Sequence, residues 1–171
     1  MFNKNFNIIL GDRASGRTFF LWEISKILKS LKYKICFVGC TGEFSQDEPM
    51  FLHFDFCRIL SKSDDVQTVE MIKERVERDK YDFILIDDID CAKKAVQKIL
   101  KSINVHKIIT CKDIPVLGEE FNLLKIRTTY NDETIDSPIL IEYKGDTLDG
   151  KSFLLFLTRE LKINNVLKWI Q

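Results

Sequence analysis

The residue types best suited to chemistry in this chain stand together near its start. Gly11, Asp12, Arg13, Ala14, Ser15, Gly16, Arg17 and Thr18 follow the order glycine, four residues, glycine, basic, hydroxyl. Each part of that spacing suits a phosphate. Glycines let the backbone come close to the anion. The amide N–H groups of such a loop, and of a helix that follows it, point at the bound oxygens and add the favourable end of the helix dipole. A cation at Arg17 reaches the outer phosphates, and a hydroxyl at Thr18 is a ligand for Mg²⁺. Arginine is a planar fork where a compact lysine ammonium is the usual occupant, so it brings the charge in a different shape.

A second group lies in Phe83-Ile84-Leu85-Ile86-Asp87-Asp88, where four apolar residues run into two carboxylates. A strand ending this way sets a carboxylate at the rim of a sheet, where open α/β sheets bind their ligands. Asp87 is expected to hold Mg²⁺, directly or through water, opposite Thr18, and Asp88 to orient an attacking water. The five cysteines, Cys36, Cys40, Cys57, Cys91 and Cys111, make no Cys-x-x-Cys pair, and only His53 and His106 could add imidazole. No zinc site is expected from them; they are read as reduced, mostly buried thiols of an intracellular protein.

These groups need a scaffold, and the apolar pattern supplies one. Asn7 to Leu10 is a short strand ending at Gly11, and Phe20, Ile24, Ile27, Leu28 and Leu31 make the stripe of a helix after the loop. Lys34 to Val38 reads as a strand, and Phe51 to Leu60 is apolar but fits strand or helix. Val66, Val69, Ile72 and Val76 mark a helix, Tyr81 to Asp88 a buried strand, Ala92 to Ile103 a helix and Val105 to Cys111 a strand. Strands alternating with helices of this length predict a mostly parallel sheet with helices on both faces. After Pro115 the rhythm changes. Leu123 to Thr129 and Ser137 to Tyr143, around a polar loop with Asn131, Asp132 and Glu133, predict an antiparallel hairpin extending the sheet, and Phe153 to Trp169 a final helix. Phe19, Phe20 and Trp22 are expected in the core, and Lys93, Lys94, Lys98 and Lys101 on a solvated helix face able to touch nucleic-acid phosphates.

The whole of residues 1–171 is expected to be one domain. Lys and Arg number 26 and Asp and Glu 26, so the net charge is zero, which excludes a uniformly basic nucleic-acid coat or an acidic tail. A hydrophobic fraction of 45% excludes general disorder. No apolar run approaches the roughly 20 residues of a membrane helix, and the start lacks a secretory apolar stretch, so a cytoplasmic protein without a membrane partner is expected.

With both motifs in view, residues 6 to about 112 resemble the P-loop NTPases: GDRASGRT looks like a Walker A motif with Arg in place of Lys, and FILIDD looks like Walker B. The strand beyond Walker B resembles that of the additional-strand group, which includes RecA, hexameric helicases and AAA+ proteins. The resemblance implies an α/β RecA-like core, ATP and Mg²⁺ as ligands, and assembly with copies or partners. Leu124-Lys125-Ile126-Arg127-Thr128-Thr129 before a hairpin is similar to the Lys-x-Arg finger of RecA-like rings such as KaiC and the DnaB-type helicases. There the basic pair acts on a neighbour's nucleotide, which assigns Lys125 and Arg127 a catalytic role in trans. The same likeness puts Glu43 near the catalytic glutamate and makes Thr110 a residue sensing the outer phosphate. It implies an ATPase subunit of a nucleic-acid-linked assembly (recombination, helicase or motor), with DNA or RNA as the candidate polymer. Two alternatives stand beside it. One is a viral packaging-type ATPase, to which Ile108 to Gly118 is similar. The other is a nucleotide-binding structural or regulatory subunit that hydrolyses little, as Arg17 allows.

Overall fold

A computed structural model describes residues 5–41, 53–61, 66–115, 120–128 and 139–170, and of residues 128 and 163–170 it describes the backbone alone. Glu43, the polar loop at 131–133 and the stretch 116–118 lie outside the described residues.

Eight strands form one sheet. In chain order they are β1 (Phe6–Leu10), β2 (Ile35–Gly39), β3 (Phe56–Ile59), β4 (Phe83–Asp87), β5 (His106–Cys111), β6 (Phe121–Thr128), β7 (Ile139–Tyr143) and β8 (Asp146–Asp149). Among the described residues the α-helices are α1 (Arg17–Ser30), α2 (Val66–Arg78) and α3 (Lys94–Ser102), which lie between strands, and α4 (Gly150–Ile170), which follows the last one. Across the sheet the order is β3-β2-β4-β5-β1-β6-β7-β8. The pairs from β3 to β6 are all parallel, while β6 with β7 and β7 with β8 are antiparallel. The chain is thus α/β, with the expected parallel sheet and an antiparallel extension.

Each central strand is apolar on both faces because each face is covered. Ile9, Leu85 and Ile108 join Phe20, Leu21, Ile24 and Leu28 of α1 and Phe153 and Leu157 of α4 in one core. Ile8, Ile84, Ile86 and Ile109 join Val69, Ile72 and Val76 of α2 and Val96 and Leu100 of α3 in the other. This is why the strands read as continuous apolar runs rather than alternating ones. One polar contact interrupts the first face: Asn7 on β1 donates to Lys107 O at 3.2 Å, and Asn122 on β6 donates to Asn7 Oδ1 at 2.9 Å. The buried amides can pair only when β1, β5 and β6 stand in one register, so they oppose slippage.

One reading left open by the sequence is resolved, and two details depart from expectation. Phe56–Ile59 settles as a strand parallel to β2. Asp146–Asp149, too polar to be read as a strand, is one, joined to β7 by the two-residue turn Lys144-Gly145 with φ of 53° and 92°. Phe19, expected in the core, is half exposed, whereas Phe20 is buried. Of the cysteines, Cys36, Cys40 and Cys111 are buried and Cys91 is exposed. No described helix is long and apolar enough to cross a membrane.

Candidate phosphate-binding site

The strand order decides where the two motifs meet. β1 ends in the glycine loop, β4 ends in Asp87, and β5 lies between them, bonded to both. The carboxyl ends of all three open on the same edge of the sheet, so the loop and the carboxylates face one another across the end of β5.

The loop is shaped for close approach. Ala14 and Gly16 both have positive φ, 62° and 85°, and Gly16 forms the N-terminal boundary of α1. Such alternation turns successive N–H groups toward one point, the concavity that receives anions. No side chain caps α1 and no acidic residue lies in its first turn, so its leading amides have no anionic partner of their own. A Cβ at Gly16 would come within 3.1 Å of Ile139 Cδ1, so β7 packs directly on this glycine. Ser15 Oγ and Arg17 Nη1 are buried without a hydrogen-bond partner among the described residues. Leaving one such group unpaired costs about 1–3 kcal/mol, which an anion accepting from both would recover.

Across β5, adjacent residues are tied to adjacent residues. Thr18 Oγ1 donates to Asp87 Oδ2 at 2.9 Å, and Arg17 Nη2 pairs with Asp88 Oδ1 at 2.7 Å. From beneath, Thr110 Oγ1 donates to Asp87 Oδ1 at 2.6 Å and accepts from the Asp88 N–H at 2.7 Å. Asp88 stands in the left-handed region, φ 49° and ψ 54°, a conformation that Asp and Asn tolerate better than other side chains. Asp87 has no exposed surface. Burial, with a smaller contribution from the Asp88 charge, raises its pKa to about 6 against the hydrogen bonds from Thr110 and Thr18 and the Arg17 charge. An ionised carboxylate held against burial is a strong ligand for a divalent cation. Mg²⁺ needs only one or two protein oxygens beside phosphate and water. Thr18 and Asp87 supply that number, and among the described residues no cluster of three or more His, Cys, Asp or Glu is placed to hold a metal unaided.

A cavity of about 1060 Å³ opens over the loop. Arg13, Arg17, Thr18, Phe19, Asp88 and Lys112 are among the residues that line it.

The loop residues, Thr18, Asp87, Asp88 and Thr110 are therefore brought together as expected from the sequence. Thr110 is fully buried; its hydroxyl bonds Asp87, which is also buried, and the N–H of Asp88, which lines the cavity. Lys125 and Arg127 stand apart. They share a face of β6, and Lys125 is beside Leu10 of β1. Both are exposed and pair with Glu142 on β7, at 3.8 Å and 3.0 Å. Sequence reasoning missed Glu142 and the Arg17–Asp88 pair; the only hint of the latter was an arginine at the lysine position near a doubled aspartate.

No protein-family model matches the chain, and no curated protein matches it in sequence.

Proposed function

We propose that this chain is a P-loop NTPase with a RecA-like core that binds ATP with Mg²⁺ and serves as an ATPase subunit of a nucleic-acid-linked assembly. The observation that carries the reading is the pair of buried, unpartnered donors, Ser15 Oγ and Arg17 Nη1, in a loop with positive φ at two residues and an uncapped helix behind it. Arg17 and the loop residues Arg13, Ala14, Gly16 and Thr18 line the cavity, so a phosphate held there would meet the cation and the loop amides together. The position of β5 between β1 and β4 supports membership of the additional-strand group. Thr18 and Asp87 are the residues to hold Mg²⁺, which when bound neutralises charge on the outer phosphates. Arg17 completes that neutralisation, and Arg13 lies on the cavity wall near it. The exposed Lys93, Lys94 and Lys98 at the start of α3 suit contact with the phosphates of DNA or RNA.

A fluorescent ATP analogue tests the site. Wild type should bind it in a Mg²⁺-dependent manner, and the Gly16→Val, Arg17→Ala double variant should bind at least tenfold more weakly, about 1.4 kcal/mol. Equal binding by the two proteins rejects the site. Steady-state ATP turnover with and without DNA or RNA then tests the activity. The Arg17–Asp88 ion pair favours a second reading, a nucleotide-binding regulatory subunit with little hydrolysis, because it engages a carboxylate that would otherwise orient water. Tight binding with no turnover under any polymer supports that reading.

A further inference from the structure

We propose that Asp88 is the positioning residue for Arg17, and that the two form one phosphate-recognising unit in which an anchored guanidinium replaces the usual lysine. The inference rests on the nucleotide-binding reading above.

The geometry divides the guanidinium between two tasks. Nη2 is 2.7 Å from Asp88 Oδ1, while Nη1 of the same fork is buried and has no hydrogen-bond partner among the described residues. The Arg17 side chain is only 10% exposed, so the fork cannot turn freely to find another partner. A lysine ammonium carries its three donors on one rotatable nitrogen, whereas the rigid planar fork holds two nitrogens apart, one on the anchor and one toward a ligand. Asp88 is in turn fixed from below, its N–H donated to Thr110 and its backbone in the left-handed region. Thr110 also holds Asp87, so the metal-binding carboxylate and the anchor of the cation share one support.

An anchor of this kind makes its contribution before the ligand arrives. The ordering of a long side chain, otherwise a cost charged to binding, is already complete in the free protein. Asp88 is also a negative charge near a site for anions, so its direct effect on a phosphate is repulsive. The two roles have opposite signs on affinity, which makes them separable.

The test is a thermodynamic cycle on the full chain with the fluorescent ATP analogue and Mg²⁺: wild type, Asp88→Asn, Arg17→Ala and the double variant. Asparagine suits the left-handed backbone as well as aspartate does, and thermal midpoints check that each variant folds. The anchor predicts that Asp88→Asn weakens binding roughly five- to tenfold when Arg17 is present and not at all when residue 17 is alanine. Asp88→Glu, which restores the charge, should recover affinity only in the presence of Arg17. Unchanged or tighter binding by Asp88→Asn overturns the proposal and leaves Asp88 as a simple repulsive charge. An equal loss in both backgrounds also overturns it, because Asp88 would then act independently of Arg17. These outcomes leave the nucleotide site standing; a wild-type chain that binds no triphosphate removes both.

Discussion

A carboxylate with no exposed surface, one residue from a second carboxylate, is costly to keep ionised, and Asp87 is in that position. Its pKa of about 6 in the folded chain lies above the ordinary value of 3.8, so the folded state holds the proton more firmly than the unfolded one. Stability from this group is therefore greatest in acid, declines as pH rises from about 4 to about 6, and stays low above that, a difference of up to about 3 kcal/mol. Asp87→Asn removes the penalty. Chemical denaturation should show the variant more stable than wild type at pH 8, with the gap closing toward pH 4, while Mg²⁺-dependent nucleotide binding is lost. A variant less stable than wild type at pH 8 contradicts this account. The residues of the loop and the Asp87-Asp88 pair were legible in the sequence, because a glycine spacing and an apolar run ending in acid are local signals. The Arg17–Asp88 pair was not. It joins side chains from separate parts of the chain and depends on which strand lies between them. The engagement of Thr110 with Asp87 was hidden for the same reason, since a threonine in a strand carries no mark of what its hydroxyl meets.

Periodicity placed the long elements, two-sided as in Phe83-Ile84-Leu85-Ile86 of β4 or one-sided as in α2, and failed for two short strands at the ends of the sheet. Phe56–Ile59 is four residues long and only partly buried, too short to separate strand from helix by pattern. Asp146–Asp149 is polar at the outer edge of the sheet, where backbone pairing with β7 and not side-chain burial makes it a strand. The turn that permits this pairing has positive φ at Lys144 as well as at Gly145, the pattern of a type I′ hairpin. Lysine is strained there, and asparagine is the non-glycine residue that suits the conformation best. Lys144→Asn should raise stability by about 1 kcal/mol, observed as a higher denaturation midpoint with ATP binding unaltered. A neutral or lower midpoint would show that the Lys144 side chain does more than occupy the turn; its Nζ lies 5.3 Å from the Tyr143 ring centre.

For the molecule as a whole, the proposed function makes the basic pair on β6 a finger that acts between subunits. Arg127 is two-thirds exposed, and its ion pair with Glu142 is of the surface kind, worth at most about 1 kcal/mol. A neighbouring subunit's phosphates could therefore draw it away at small cost. Arg127→Ala should leave folding and ATP binding near wild type and abolish polymer-stimulated hydrolysis. Mixing Arg127→Ala chains with Asp87→Asn chains should restore part of that hydrolysis, because some interfaces then combine an intact finger with an intact site. No recovery at any mixing ratio rejects action in trans. The sheet order also has a bearing on how the protein is made. β1 pairs with β5 and β6, and its contact with β5 spans about a hundred residues of sequence, as between Asn7 and Lys107. At synthesis rates of roughly 5–20 residues per second, Phe6–Leu10 waits roughly 5–20 seconds on the ribosome before its first partner strand is made. During that interval an apolar strand is without either neighbour, and the loop that follows it lacks the floor that gives it shape. Translation speed, rather than any local propensity, sets the earliest moment at which the loop of the nascent chain can take its final shape.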